Sequence, residues 1–233
     1  QAIGEGAGPV LYRLQDDDAR LRESLSMLLG YSSFILFPLM FGMAAVAQPL
    51  VVVLLTAKWL PSVPFLRILA FGGIFLLQNY YTMTLLKIKG KIGMMIKLEI
   101  FKRALLITVV LISSHWGMIP LLWSGFGVSF VVFFVNCNYC RMILNWGLKW
   151  QWQACWKILL AAGIMGGSVY MLMQLLNHLP AIVQLLLGGI FGVALYWLLA
   201  VVLHIGVYWQ IRRQIMKFVN DRLRKDAGIP AVE

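Results

Sequence analysis

Long apolar stretches separated by short polar or basic clusters run through this chain from Ser24 onward. A helix needs about 20 apolar residues to cross the hydrocarbon core of a bilayer, and on that measure the stretches divide into six spans. The first extends from Leu25 to Ala47, followed by an interfacial stretch from Gln48 and Pro49 to Trp59. Phe65 to Leu86 is the second. The run from Ala104 to Cys140 is too long for one helix and breaks at His115-Trp116-Gly117, which predicts spans at Ile100 to Ser114 and Met118 to Tyr139. The earlier of these two is short, so Lys102 and Arg103 are expected to snorkel from its end. The last run, Ile158 to Ile211, breaks at Asn177-His178-Leu179-Pro180 and yields Ile158 to Leu176 and Ala181 to Tyr208. The pattern predicts an all-α, polytopic membrane bundle of six transmembrane helices over residues 25–208. A cytoplasmic loop and helix start (1–24) precede it, and a basic amphipathic tail (209–233) follows.

Charge orients these spans. Of the 20 basic residues, three precede the first span (Arg13, Arg20, Arg22) and six follow the second (Lys87, Lys89, Lys91, Lys97, Lys102, Arg103). Three more lie in the next basic loop (Arg141, Lys149, Lys157), and six in the tail (Arg212, Arg213, Lys217, Arg222, Arg224, Lys225). Short loops retain Lys and Arg on the cytoplasmic side, so both ends of the chain are expected there. A hydrophobic content of 61% with 12% charged residues does not suit a soluble domain. A β-barrel would alternate polar and apolar residues in short segments. The net charge of +11 punctuates apolar spans and meets anionic headgroups, so nucleic acid is not an expected partner and membrane lipids are.

No signal-peptide pattern opens the chain, and its start at Gln1 reads as part of something longer. Cys137 and Cys140 form a C-x-x-C pair with no second pair to complete a zinc site, and with Cys155 they are read as helix packing. His115, His178 and His204 share no ligand spacing, so no metal and no cofactor is expected. Trp59, Trp116, Trp146, Trp150, Trp152, Trp156 and Trp209 fall near span ends and read as interfacial anchors. Gly163-x-x-x-Gly167 and Gly188-x-x-x-Gly192 predict close packing of the fifth and sixth spans. Gly4, Gly6 and Gly8 lack the strand and Lys-Ser/Thr of a phosphate cradle. Asp16, Asp17 and Asp18 suit a helix start, with Asp16/Arg20 and Asp18/Arg22 at i,i+4. The tail from Tyr208 to Lys225 sets Ile211, Ile215, Phe218, Val219 and Leu223 opposite its basic residues, as membrane-surface helices do.

Two cations stand apart from the basic clusters, Lys58 and Arg67. A charge at membrane depth costs at least about 2.5 kcal/mol and usually faces a cavity or a partner. At 100° per residue, Arg67, Ile74, Gln78, Tyr81 and Leu85 share one helix face. Arg67, Gln78, Tyr81 and Lys58 are therefore the candidate substrate-path residues, against the simpler reading of an interfacial Arg and a solvated Lys. No catalytic set can be assembled, and all nine acidic residues fall on the basic side, so no coupling acid is expected within the spans.

The segment Pro9-Val10-Leu11-Tyr12-Arg13-Leu14-Gln15-Asp16-Asp17-Asp18-Ala19-Arg20-Leu21-Arg22 resembles the P-x-L-x-R-L-Q-D-D-x-x-R-L-R loop of Wzx-type polysaccharide flippases, in their colanic acid and teichuronic acid exporter branch. Lys58-Trp59-Leu60-Pro61-Ser62-Val63-Pro64-Phe65-Leu66 and Leu85-Leu86-Lys87-Ile88-Lys89-Gly90 are similar to that branch's K-W-x-x-x-x-P-F-L and L-K-x-K-G stretches. Thr56-Ala57 stand where the branch usually has a glycine, and Arg67 where an uncharged polar residue is common. The resemblance implies a transporter of about fourteen helices in two bundles, of which these spans form the C-terminal one. It further implies non-enzymatic movement of an undecaprenyl-pyrophosphate-linked glycan across a bacterial inner (cytoplasmic) membrane, with the N-terminal bundle of the same protein as partner. Other readings are a drug or peptidoglycan-precursor exporter of the same superfamily, a polymerase or ligase of the pathway, and a structural membrane subunit. A polymerase or ligase would call for a sizeable outer loop with arginines, whereas the outer loops read here are short.

Overall fold

Asp17 sets where the first membrane helix begins. Its carboxylate accepts the Arg20 backbone N–H at 3.0 Å and caps α1 (Asp18–Ala45), satisfying a donor that every helix start leaves open. The computed structural model describes residues 11–209. After α1 come α2 (Ala47–Leu55), a 3₁₀ turn (Ala57–Ser62), α3 (Val63–Gly73), α4 (Leu76–Ile88) and α5 (Ile92–Ser113). A second 3₁₀ turn (Ser114–Trp116), α6 (Met118–Leu144), α7 (Leu148–Leu175) and α8 (Ala181–Val202) complete the order. Among the described residues there is no strand, and the chain is an all-α, multi-pass membrane bundle. The glycine-rich start at Gly4 to Gly8 and the tail beyond Trp209 lie outside the described residues.

Breaks in the apolar pattern became the turns. Gly117, at φ 95°, sits in a backbone region open mainly to glycine and separates the second 3₁₀ turn from α6. Pro180 caps α8 at its start, where a missing N–H costs nothing. Helix starts were misjudged: α1, α5 and α7 each begin several residues before the expected span, because Asp18 to Glu23, Ile92 to Glu99 and Leu148 to Lys157 continue the same helix. The expected second span is instead α3 and α4, joined through Ile74 and Phe75, whose N–H groups bond to Phe71 O and Gly72 O at 3.3 and 3.2 Å.

α1 lies at the centre. It packs most extensively on α7, which also packs on α8, while α3 and α4 bridge α1 to α6, and α5 lies against α6. Ala161, Ala162, Met165 and Val169 of α7 meet Phe37 of α1 and Tyr196 of α8 in the larger core. Gly188 and Gly192 do face α7, since a Cβ at these positions would stand 2.9 Å from Met173 Cε and 3.3 Å from Val169 Cγ2. Gly163 and Gly167 do not serve this contact, as a Cβ on either would meet nothing within 4 Å. The close-approach glycine on α7 is Gly166, whose Cβ would stand 3.3 Å from Phe41 O of α1. Pro38, inside α1, leaves the Phe34 carbonyl without its helical donor. The Tyr196 hydroxyl supplies one at 2.9 Å, as a low-dielectric interior requires.

Among the described residues, five helical segments are long and apolar enough to cross a membrane: Asp18–Ala45, Ala57–Ile88, Met118–Leu144, Leu148–Leu175 and Ala181–Val202. The expected sixth, α5, has 22 residues and reaches about 33 Å at 1.5 Å per residue, so length does not exclude it. What sets it apart from the other five is charge, with Lys97, Glu99, Lys102 and Arg103 close together along it. The described parts of the basic clusters meet at one end of the bundle. There Asp18 pairs with Lys89 and Asp17 with Arg20, in place of the expected Asp18/Arg22 and Asp16/Arg20 pairs. Trp146, expected as an anchor, is fully buried and donates from Nε1 to Ser26 Oγ at 2.8 Å.

Candidate functional site

α6 and α7 are joined by the short turn at Asn145 to Gly147, where Asn145 adopts a left-handed conformation at φ 53°, yet they make little contact beyond it. The space they leave, backed by α1, α3 and α4, is a cavity of about 830 Å³. Phe71, Phe75, Phe126, Phe130, Phe133 and Trp152 supply much of its wall. Phe75 organises that wall, with ring centroids 5.7, 6.1 and 5.6 Å from those of Phe126, Phe130 and Phe133, in the tilted and edge contacts that aromatic pairs prefer. Ser33, Gln78, Gln151 and Cys155 are polar positions in the lining, and Lys149 adds an exposed cation near the basic end.

Gln78 ties this wall to the core. Its Nε2 donates to Cys137 Sγ at 3.6 Å, Cys137 donates to Gln151 Oε1 at 3.4 Å, and Gln151 Nε2 donates to Trp146 O at 3.1 Å. The Gln78 Oε1 is buried without a partner. An orphaned amide oxygen costs about 1–3 kcal/mol, and a ligand donor reaching the cavity would relieve that cost. Thr82 bonds to Cys140 Sγ at 3.3 Å, and Cys155 to Ser33 Oγ at 3.4 Å. All three thiols are thus free and held by neighbours, in agreement with a packing role.

The four sequence-derived path residues are not brought together. Of them, only Gln78 lines the cavity. Tyr81 is buried against α1, where its hydroxyl donates to Leu28 O at 3.1 Å and meets Ser32 Oγ at 2.7 Å. Arg67 Nε donates to Ala44 O at 3.3 Å, in the last turn of α1 where a cation complements the helix dipole. Its guanidinium carbon also lies 5.1 Å from the Tyr170 ring centroid. Lys58 is exposed in the first 3₁₀ turn. Arg67, on α3, is parted from Gln78 and Tyr81, both on α4, by the turn at Ile74 and Phe75.

A second polar cluster was missed. Lys102, expected to snorkel, is buried; its ammonium donates to Asn79 Oδ1, which also accepts from Asn136 Nδ2 at 3.3 Å. Glu99 lies 3.5 Å from Lys102 and 3.4 Å from Arg103, so an acid does occur inside a bundle helix. Asn136 Oδ1 has no partner. The available signal was an asparagine in each of two apolar runs, since uncommon polar residues in such helices usually find one another.

A family model described as a polysaccharide biosynthesis protein matches residues 1–64. The chain is 29% identical over 139 residues to an uncharacterized membrane protein in cps region of Klebsiella pneumoniae, covering 59% of this chain and 27% of that one. It is 28% identical over 107 residues to the lipopolysaccharide biosynthesis protein WzxC of Escherichia coli (strain K12), covering 46% of this chain and 22% of that one. The aligned part therefore spans about a quarter of either relative. No solved structure matches the chain. The family match contains the Pro9 to Arg22 and Lys58 to Pro64 motifs, and with the two relatives it shows that the chain is similar, at low identity, to Wzx-type polysaccharide exporters.

Proposed function

We propose that this chain is the C-terminal bundle of a non-enzymatic flippase. The substrate would be an undecaprenyl-pyrophosphate-linked oligosaccharide, moved from the cytoplasmic to the periplasmic leaflet of the inner membrane for surface polysaccharide biosynthesis. The observation that carries the reading is the aromatic cavity of about 830 Å³ between α6 and α7. Such walls accept an isoprenoid chain, while Lys149 near the basic end offers a counter-charge to a phosphate. Gln78 and Gln151 supply amides at the polar edge, and no covalent step is needed. Rocking of this bundle against an N-terminal partner bundle would expose the site to each side in turn.

Arg67, Tyr81 and Lys58 would act from outside this cavity. Among the described residues Arg67 makes one N–H bond, to Ala44 O, so further donors of its five can meet an anionic group from the partner bundle's side. The test is export of the native glycan by full-length protein at matched membrane abundance. Lys149→Gln and Phe130→Asp should each cut export at least several-fold, and Arg67→Lys should retain part of it. Normal export by Phe130→Asp would remove the cavity from the path, and normal export by Arg67→Gln would leave Arg67 a bracket between α1 and α7.

A further inference from the structure

On the other face of the α1–α7 pair lies a groove of about 560 Å³, which shares no lining residue with the aromatic cavity. It is built by the first turns of α1, the first turns of α7 and the residues that follow α8. Two half-buried cations, Arg22 and Lys157, belong to its lining. Met27, Ile158 and Val207 give it an apolar side.

Neither cation is neutralised by an acid among the described residues. Asp18, the natural i,i+4 partner of Arg22, is taken by Lys89, and the Arg22 guanidinium carbon instead lies 5.1 Å from the Trp150 ring centroid. Lys157 donates to Leu203 O at 3.1 Å, beyond the last turn of α8, and lies 5.8 Å from the Trp156 ring centroid. Both contacts hold the side chains in place and leave their charges in force. Glu23 is the sole carboxylate in the lining, exposed at its edge, so the cations outnumber it two to one.

We infer that this groove is a binding site for an anionic phospholipid of the leaflet at the basic end of the bundle. A bare phosphate ion would leave the wall of Met27, Ile158 and Val207 unused, and a neutral lipid would leave Arg22 and Lys157 uncompensated. A phosphodiester headgroup between the cations, with an acyl chain along the apolar wall, satisfies both. Basic pockets between membrane helices recognise acidic lipid headgroups in this way, and Trp150 and Trp156 suit the headgroup depth.

The test uses the full chain in neutral detergent, titrated with phosphatidylglycerol or phosphatidylcholine and read by native mass spectrometry. Phosphatidylglycerol should bind at least tenfold more tightly. Arg22→Gln should weaken it about fivefold, and Arg22→Gln with Lys157→Gln about thirtyfold, as expected near 1 kcal/mol per interfacial cation. Gly206→Leu keeps both charges, and a Cβ at Gly206 meets nothing within 4 Å, so it should fold normally and weaken phosphatidylglycerol by occupying the groove. Arg141→Gln, outside the groove, should change nothing. Equal binding of the two lipids, or no response to either the charge or the Gly206 variant, would overturn the assignment. Displacement by inorganic phosphate at similar concentration would reassign the site to a phosphate ion, and preferential binding of a polyprenyl pyrophosphate would reassign it to the transport path.

Discussion

Thr56 carries a branched side chain at φ 76° and ψ 166°, a backbone region that glycine occupies freely and other residues at a cost of about 1–3 kcal/mol. It ends α2 just before the Lys58-Trp59 motif, near where the exporter branch usually has glycine. Thr56→Gly should therefore raise the unfolding midpoint in detergent by about 1 kcal/mol or more of stability; an unchanged or lower midpoint would mean that contacts of the threonine hydroxyl or methyl offset the strain. The Lys102 cluster yields an ordered pair of outcomes. Asn79→Leu removes an acceptor of the Lys102 ammonium, leaves it only Glu99 among the described residues, and should cost about 1–3 kcal/mol, whereas Lys102→Met removes the charge together with its need for a partner and should cost less. Thermal unfolding of the two variants decides the order. Arg67 shows what a sequence holds at this scale: its isolation was legible as a misplaced charge, but its acceptor, Ala44 O, is 23 positions away and belongs to a backbone that composition cannot place. Gln78 was legible as polar in an apolar helix, and for it the helical face led to the cavity.

At the scale of elements, turns were easier to read than starts. Gly117 admits a backbone conformation closed to other residues and Pro180 fixes its own, so their positions follow from residue type alone. The starts of α1, α5 and α7 depended on whether charged residues would continue a helix, which tertiary partners such as Lys89 for Asp18 decide. α1 tolerates Pro38 only because Tyr196 on another helix bonds the vacated carbonyl of Phe34. Tyr196→Phe should lower stability by about 1–3 kcal/mol and retain the Phe34 ring contact, whose centroids are 5.2 Å apart. The decisive element is α5. Its charged half can lie in the membrane if Asn79 and Asn136 house Lys102, and then reporter fusions after Gly90 and after Gly117 should give opposite sidedness. The same signal at both points would make α5 a surface helix and five the number of crossings.

For the whole molecule, the basic residues were legible as one face, and the fold gathers Arg22, Lys89, Lys149 and Lys157 at one end of the bundle. The aromatic cavity was not legible, because Phe71, Phe75, Phe126 and Phe133 look like ordinary core or lipid-facing residues until α6 and α7 are seen to part after their turn. That cavity and the similarity to polysaccharide biosynthesis proteins support the proposal of a lipid-linked glycan as cargo, with a second bundle proposed to close the path. The measurement that bears most directly on this account is the sidedness of an undecaprenyl-pyrophosphate-linked oligosaccharide in vesicles, read by a glycan-modifying enzyme confined to one side. Vesicles holding the full-length protein should move the lipid between leaflets faster than empty vesicles, and vesicles holding residues 1–233 alone should not. Equal rates with and without the full-length protein would contradict the flippase assignment, and transport by residues 1–233 alone would contradict the two-bundle path.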